Sequence, residues 1–189
     1  KELGVTVRDG GGRLPIEVCG PMRGGRVVVD GSMSSQFVTG LLIALPLAER
    51  DTTVEVHGAV SVPYIDMTIE TLERFGVEVM YNEGDYTQFY IEGGQEFQAV
   101  DYTIESDWSA AASIMVAAAI AGEVTINNIS TLSRQADTAI CRALERAGAS
   151  LIIEENSITV AHRPLEAFEF DARQCPDLFP ALVALAAAA

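Results

Sequence analysis

The chain has 189 residues, with 27 acidic side chains against 12 basic ones and a formal net charge of −15. Apolar residues make up 49% and charged residues 21%, which supports one ordinary domain or two small ones and excludes a disordered or collagen-like chain. The negative charge opposes attraction to nucleic acid or to an anionic membrane surface, so a site for an anion must be built from local donors. Cys19, Cys141 and Cys175 show no metal-type spacing, and their odd count argues against a disulfide framework and for a reducing, cytoplasmic setting. The longest apolar run, near 110–121, is too short to span a bilayer. No signal peptide opens the sequence, which starts at Lys1 and stops within an alanine run, and it reads as an excerpt from a longer protein.

In chain order, Val5 and Val7 alternate as in a strand, and Gly10-Gly11-Gly12 reads as a hairpin loop, since no helix follows it. Asp30 leads through Ser34-Ser35-Gln36 into an apolar helix near Phe37–Leu47, and Val54/Val56 alternate as a strand. Ser61 to Tyr64 form a turn before a second helix, with Asp66 a candidate N-cap and Gly76 its stop. Phe89/Ile91 close the unit as a strand. The order then repeats at a period of about 70 residues. Asp107 and Ser109 open an Ala-rich helix, Val124-Thr125-Ile126 follow, a helix with Ile140, Ala143, Leu144 and Ala147 on one face stops at Gly148, and Ile158/Val160 alternate. Asp177 and the run to Ala189 resemble the head of a further copy.

The first helix of each copy is apolar nearly all round, whereas the strands alternate. A helix apolar on every side is buried, and an alternating strand has one wet face. This pairing inverts the usual layering and predicts an α/β (α+β) fold with helices inside and sheets outside; an ordinary α+β domain with Ala-rich core helices fits the pattern equally well. Helices 35–47, 109–121 and 178–189 are then expected to be the most buried elements.

The chemistry is expected at the helix starts. Ser34, Ser35 and Gln36 combine three side-chain donors with the free amides and positive dipole end of a helix, which suits a phosphate. The same residues also serve as plain N-caps. Asp177, between Pro176 and a proline at 180, is either an N-cap or a carboxylate able to act as general base toward a hydroxyl. His57, His162 and Trp108 read as structural, and the cysteines as inert small hydrophobes.

Val29-Asp30-Gly31-Ser32-Met33-Ser34-Ser35-Gln36-Phe37 and Ser61-Val62-Pro63-Tyr64-Ile65-Asp66-Met67-Thr68 closely resemble EPSP synthase, the 3-phosphoshikimate 1-carboxyvinyltransferase family. Phe75-Gly76-Val77, Ile91-Glu92-Gly93-Gly94-Gln95 and Pro176-Asp177 fall in the family's order, and the likeness runs over essentially the whole chain. The resemblance implies an inside-out α/β barrel built from βαβαββ units, residues 1–105 belonging to the N-terminal domain and 106–189 to the C-terminal one, with a hinge near Thr103 to Asp107. It implies transfer of the enolpyruvyl group of phosphoenolpyruvate to the 5-hydroxyl of shikimate 3-phosphate, with no cofactor or metal, by a cytoplasmic monomer. Ser34, Ser35, Gln36, Ser61 and Tyr64 are then expected to bind shikimate 3-phosphate, Gln36 to touch phosphoenolpyruvate as well, and Asp177 to contact the shikimate ring and accept the proton. Asp107-Trp108 stands where the family carries Asp-Ala or Asp-Ser, and the family's Lys and Arg motifs fall outside the sequence. Another enolpyruvyl transferase of the same fold, or a β-rich repeat scaffold that binds a protein partner, are the rival readings.

Overall fold

The computed structural model describes residues 2–189, which form two compact units that meet in sequence between Asp101 and Tyr102. In the first, β1 (Thr6–Asp9) and β2 (Ile16–Cys19) pair antiparallel as an exposed hairpin. Its triglycine turn is as expected: Gly11 and Gly12 adopt positive φ, and the Gly12 amide donates to Asp9 Oδ1 at 2.5 Å. Cys19, expected to be a packed hydrophobe, is exposed at the end of β2, because this ribbon has no layer on either face.

The main sheet of this unit comprises β3 (Gly25–Asp30), β4 (Thr52–His57), β5 (Met80–Tyr81) and β6 (Gln88–Ile91), in the order β3-β4-β6-β5. β3 and β4 run parallel, with Val27 opposite Val54 and Asp30 opposite His57, and the other pairs are antiparallel. A parallel pair needs a crossover. Here it is α1 (Gln36–Ala44), extended by a 3-10 turn over Leu45–Leu47. α2 (Val62–Arg74) leaves the C-terminal end of β4, and buries Ile65, Ile69 and Leu72, one face of a 3.6-residue period. These residues close a core with Val38, Leu42, Val54, Val56, Phe89 and Ile91. Gly76 ends α2 as expected: at φ 77° its amide donates to Glu73 and that of Val77 to Leu72, which caps the last carbonyls.

The second unit repeats the order. α3 (Trp108–Ala121), β7 (Glu123–Asn127), a 3-10 turn (Ala136–Ala139) running into α4 (Ile140–Arg146), β8 (Ser150–Ile153) and β9 (Ser157–Ala161) precede α5 (Phe179–Ala188). The strand order β7-β9-β8 reproduces β4-β6-β5 of the first unit. Gly148 caps α4 just as Gly76 caps α2, with Ala149 donating to Leu144. Trp108 is 2% exposed and its indole donates to the Ser130 carbonyl, so it is a core residue. His162 packs in the same unit, its Nδ1 2.8 Å from the Ala119 carbonyl oxygen.

The two larger sheets carry their helices on one face and leave the other toward solvent, as the alternating strands require: in β4, Thr52, Val54 and Val56 are buried and the residues between them are not. The expected depth of the helices is corrected in part. Phe37 on α1 is 55% exposed and Phe179 on α5 is 63% exposed, and Ile43, Ile114 and Val183 are also open. One stripe of each helix meets its sheet and neighbouring helices, and the opposite apolar stripe finds no partner among the described residues. Among those residues, no helix is long and apolar enough to cross a membrane.

Candidate functional site

Five of the six candidate residues gather at one edge of the first unit. Because β3 and β4 are parallel neighbours, their C-terminal ends lie side by side, and the loops leading to α1 and α2 start from adjacent positions. The two loops are tied together through backbone. The Gly31 amide donates to the His57 carbonyl at 2.8 Å, and the Val60 amide donates to the Gly31 carbonyl at 3.3 Å. A β-carbon at Gly31 would come within 2.8 Å of Val56 Cγ1 and 3.2 Å of Ala59 Cα, so this approach requires glycine.

Asp30 shapes the turn that follows. Its Oδ1 accepts from the Ser32 hydroxyl at 2.6 Å and the Ser32 amide at 2.9 Å, which hold the carboxyl below its ordinary pKa, with His57 adding a smaller favourable charge. Ser34 is half-buried and its hydroxyl accepts the Gln36 amide at 3.2 Å. Ser35 takes the N-cap position of α1, 6% exposed, with no side-chain capping bond of its own. The capping oxygen is therefore that of Ser34. Gln36 is the first helical residue and its side chain is exposed. The Phe37 and Val38 amides lie in the first turn, ahead of the Thr39-to-Ser35 bond, where helix geometry supplies no acceptor.

Ser61 takes the N-cap position of α2 in the left-handed region, φ 52°, and is buried. Its carbonyl accepts the Tyr64 amide at 3.0 Å, and Tyr64 is half-buried in the first turn. Asp66 is not the N-cap of this helix. It sits beyond the first turn, and its Oδ1 accepts the Tyr86 phenol at 2.7 Å. The candidates thus present hydroxyls, an amide side chain and two helix N-termini at the joined strand ends, with no lysine or arginine in segments 30–36 or 57–64.

Asp177 belongs to the second unit. It is exposed in a 3-10 turn, Pro176–Leu178, that runs directly into α5. The neighbouring start of α3 is satisfied by its own chain: Asp107 accepts from the Ser109 and Ala110 amides at 2.9 and 3.2 Å, and Gln135 Oε1 accepts the Trp108 amide at 3.0 Å. That terminus does not offer its amides to an anion, unlike the start of α1. Segment 133–137 clasps the entry to this helix. Ser133 donates to Glu105, Gln135 Nε2 to the Ser106 carbonyl, and Ser109 to the wholly buried Asp137.

Sequence reasoning gave no role in the site to Asp30, Gly31, Tyr86, Gln135 or Asp137. The signal for the first two was present, since Asp-Gly directly before a serine run is a turn signature. Nothing local marks a tyrosine from a distant hairpin as the partner of Asp66.

Comparisons with known proteins identify the family to which this fold belongs. A family profile described as EPSP synthase (3-phosphoshikimate 1-carboxyvinyltransferase) matches residues 1–189. The 3-phosphoshikimate 1-carboxyvinyltransferase of Methanocorpusculum labreanum is 35% identical over 189 residues, all of this chain and 44% of that protein. The enzyme of the same name from Colwellia psychrerythraea is 42% identical over 167 residues, 86% of this chain and 39% of its own length. Among solved structures, EPSP synthase from Acinetobacter baumannii superposes with a TM-score of 0.68 at 23% identity, over 96% of this chain and 43% of that one. The enolpyruvyl transferase NikO from Streptomyces tendae gives 0.71 at 16% identity, over 99% and 47%. These two share the fold, and the chain spans about two fifths of the length of the curated relatives it matches. With the whole of its length matched and its fold reproduced in those structures, the chain belongs to the EPSP synthase family.

Proposed function

We propose that the full-length parent of this chain transfers the enolpyruvyl group of phosphoenolpyruvate to the 5-hydroxyl of shikimate 3-phosphate, forming 5-enolpyruvylshikimate 3-phosphate and releasing phosphate. It does so as a cytoplasmic monomer, on the route to chorismate and the aromatic amino acids. The observation that carries this reading is the convergence of Ser34, Ser35, Gln36, Ser61 and Tyr64 at the joined ends of β3 and β4, inside a chain matched throughout by the family profile. Residues 1–105 then belong to the N-terminal domain of the parent and 106–189 to its C-terminal domain.

On this reading the serine hydroxyls, the Gln36 side chain and the open amides of α1 hold the phosphate and hydroxyls of shikimate 3-phosphate, with Tyr64 against the ring. Gln36 reaches phosphoenolpyruvate too. Addition to C2 of phosphoenolpyruvate needs the 5-hydroxyl deprotonated and the methylene carbon protonated, so a base and an acid flank the substrate. Asp177 is the base this chain supplies. The cations that two anionic substrates demand then come from the family's lysine and arginine motifs elsewhere in the parent, and turnover belongs to the parent rather than to the isolated segment.

The likeness to NikO keeps a second reading in view, an enolpyruvyl transferase with another acceptor. The names and identities of the curated relatives favour shikimate 3-phosphate. The family match favours an enzyme over a non-catalytic scaffold. The test is phosphate release by the parent from both substrates, with direct binding of shikimate 3-phosphate measured beside it. Asp177→Ala lowers the rate about 100-fold or more, as for loss of a general base, and changes binding far less. No phosphate release by the parent refutes the function, and near-normal turnover by the variant removes Asp177 from the mechanism.

A further inference from the structure

Tyr86 lies in the turn between β5 and β6, and that turn emerges at the same end of the sheet as the candidate site. β6 runs antiparallel to β4, and the Thr87 carbonyl accepts the Val56 amide at 2.8 Å, so the residue beside it stands at the exit of β4, next to the loop that leads to Ser61. Tyr86 is half-buried, and its backbone sits at φ 48°, a region an aromatic residue seldom adopts unless its surroundings hold it there. What holds it is visible. Its ring packs on Tyr81, centroids 5.8 Å apart, and Tyr81 stacks on the buried Phe89 at 5.7 Å. Its hydroxyl donates to Asp66 Oδ1 at 2.7 Å. Asp66 follows Tyr64 by two residues on α2, and the same stretch is braced by the Thr68 hydroxyl on the Tyr64 carbonyl at 2.8 Å. The bond keeps the phenol protonated, its pKa pushed up to about 12 chiefly by Asp66.

We infer that Tyr86 is a positioning residue for shikimate 3-phosphate: through Asp66 it clamps the first turns of α2 to the β5–β6 hairpin, and so fixes where Ser61 and Tyr64 meet the substrate. The inference rests on the proposed function of the parent and names a residue that does not itself touch the ligand. A binding group loosened at its base loses affinity before it loses chemistry.

The test uses the full-length parent, and wild-type phosphate release is measured first. Its absence refutes the proposed function and leaves Tyr86 out of the question. Given wild-type turnover, Tyr86→Phe keeps the ring and removes the bond. The expected result is a rise in Kd for shikimate 3-phosphate of roughly three- to tenfold, the range for one ordinary hydrogen bond, with kcat within about twofold. Asp66→Ala gives a rise of the same size, and Asp66→Asn, which keeps an oxygen for the phenol, gives a smaller one. The double variant Tyr86→Phe with Asp66→Ala is no worse than either single change. An unchanged Kd in Tyr86→Phe overturns the inference, even if the melting temperature falls, because a purely structural anchor would act on stability alone. Additive losses in the double variant, or equal losses in Asp66→Asn and Asp66→Ala, overturn it too.

Discussion

Ser109→Ala tests whether the start of α3 is held by a buried carboxylate. Asp137 is 0% exposed, and the Ser109 hydroxyl donates to its Oδ2 from the first turn of the helix. Leaving a buried polar group without its partner costs about 1–3 kcal/mol, and burial keeps water from replacing the lost donor, so a loss of about 2 kcal/mol is expected. With a urea m-value of about 2 kcal/mol/M for a unit of this size, the midpoint falls by about 1 M. The chain carries one tryptophan, Trp108, directly before Ser109 and 2% exposed, so its fluorescence reports unfolding of the second unit. A midpoint unchanged within experimental scatter at an unchanged m-value would refute the reasoning, since it would mean the bond carries no net energy. A changed m-value would move the effect into the unfolded ensemble.

Other outcomes follow from the same physics. Gly31→Ala drives a methyl against Val56 and Ala59, and is expected to cost about 1–3 kcal/mol as an overpacked contact, read by denaturant unfolding. In the parent, Ser35→Ala weakens shikimate 3-phosphate binding by about 1–3 kcal/mol, and an unchanged calorimetric Kd would count against Ser35 as a ligand. In alkaline titration followed by ultraviolet absorbance, Tyr86 ionises near pH 12, and Tyr86→Phe removes that step. The sign is fixed by linkage: its folded pKa lies above the unfolded value, so the stabilisation is fully present below about pH 10 and is lost as pH rises through about 12.

The repeat and its glycine stops were legible because periodicity and left-handed caps are local. Gly76 and Gly148 both cap as the sequence indicated. The strand-edge site was legible through Ser34-Ser35-Gln36 and the Ser61–Tyr64 turn, because the residues that start a helix also fix where its amides point. Three things were not legible. Which serine caps α1 depends on a rotamer and a turn, and the structure gives the role to Ser34. The role of Asp66 depends on Tyr86, twenty residues away and brought near only by the β5–β6 pairing. The exposure of Phe37 and Phe179 depends on what packs against those helices, and an all-round apolar pattern does not say whether the partners lie within the same stretch of chain.

On the proposed function, the distribution of charge bears on how much of the site this stretch can supply. Arginines at 8, 26, 74 and 173 are engaged with Glu17, Glu55, Glu70 and Asp171. Segments 30–36 and 57–64 offer hydroxyls, amides and helix ends. Neutral donors of this kind have fixed directions and select a ligand by shape. They do not offset the repulsion that a chain of net charge −15 exerts on a dianionic phosphate. Lysine and arginine supply that attraction, but they select less sharply when each acts as a point charge. On the proposed function, the two tasks are therefore divided along the sequence: this stretch orients shikimate 3-phosphate and supplies the carboxylate of Asp177, while the rest of the parent supplies the cations.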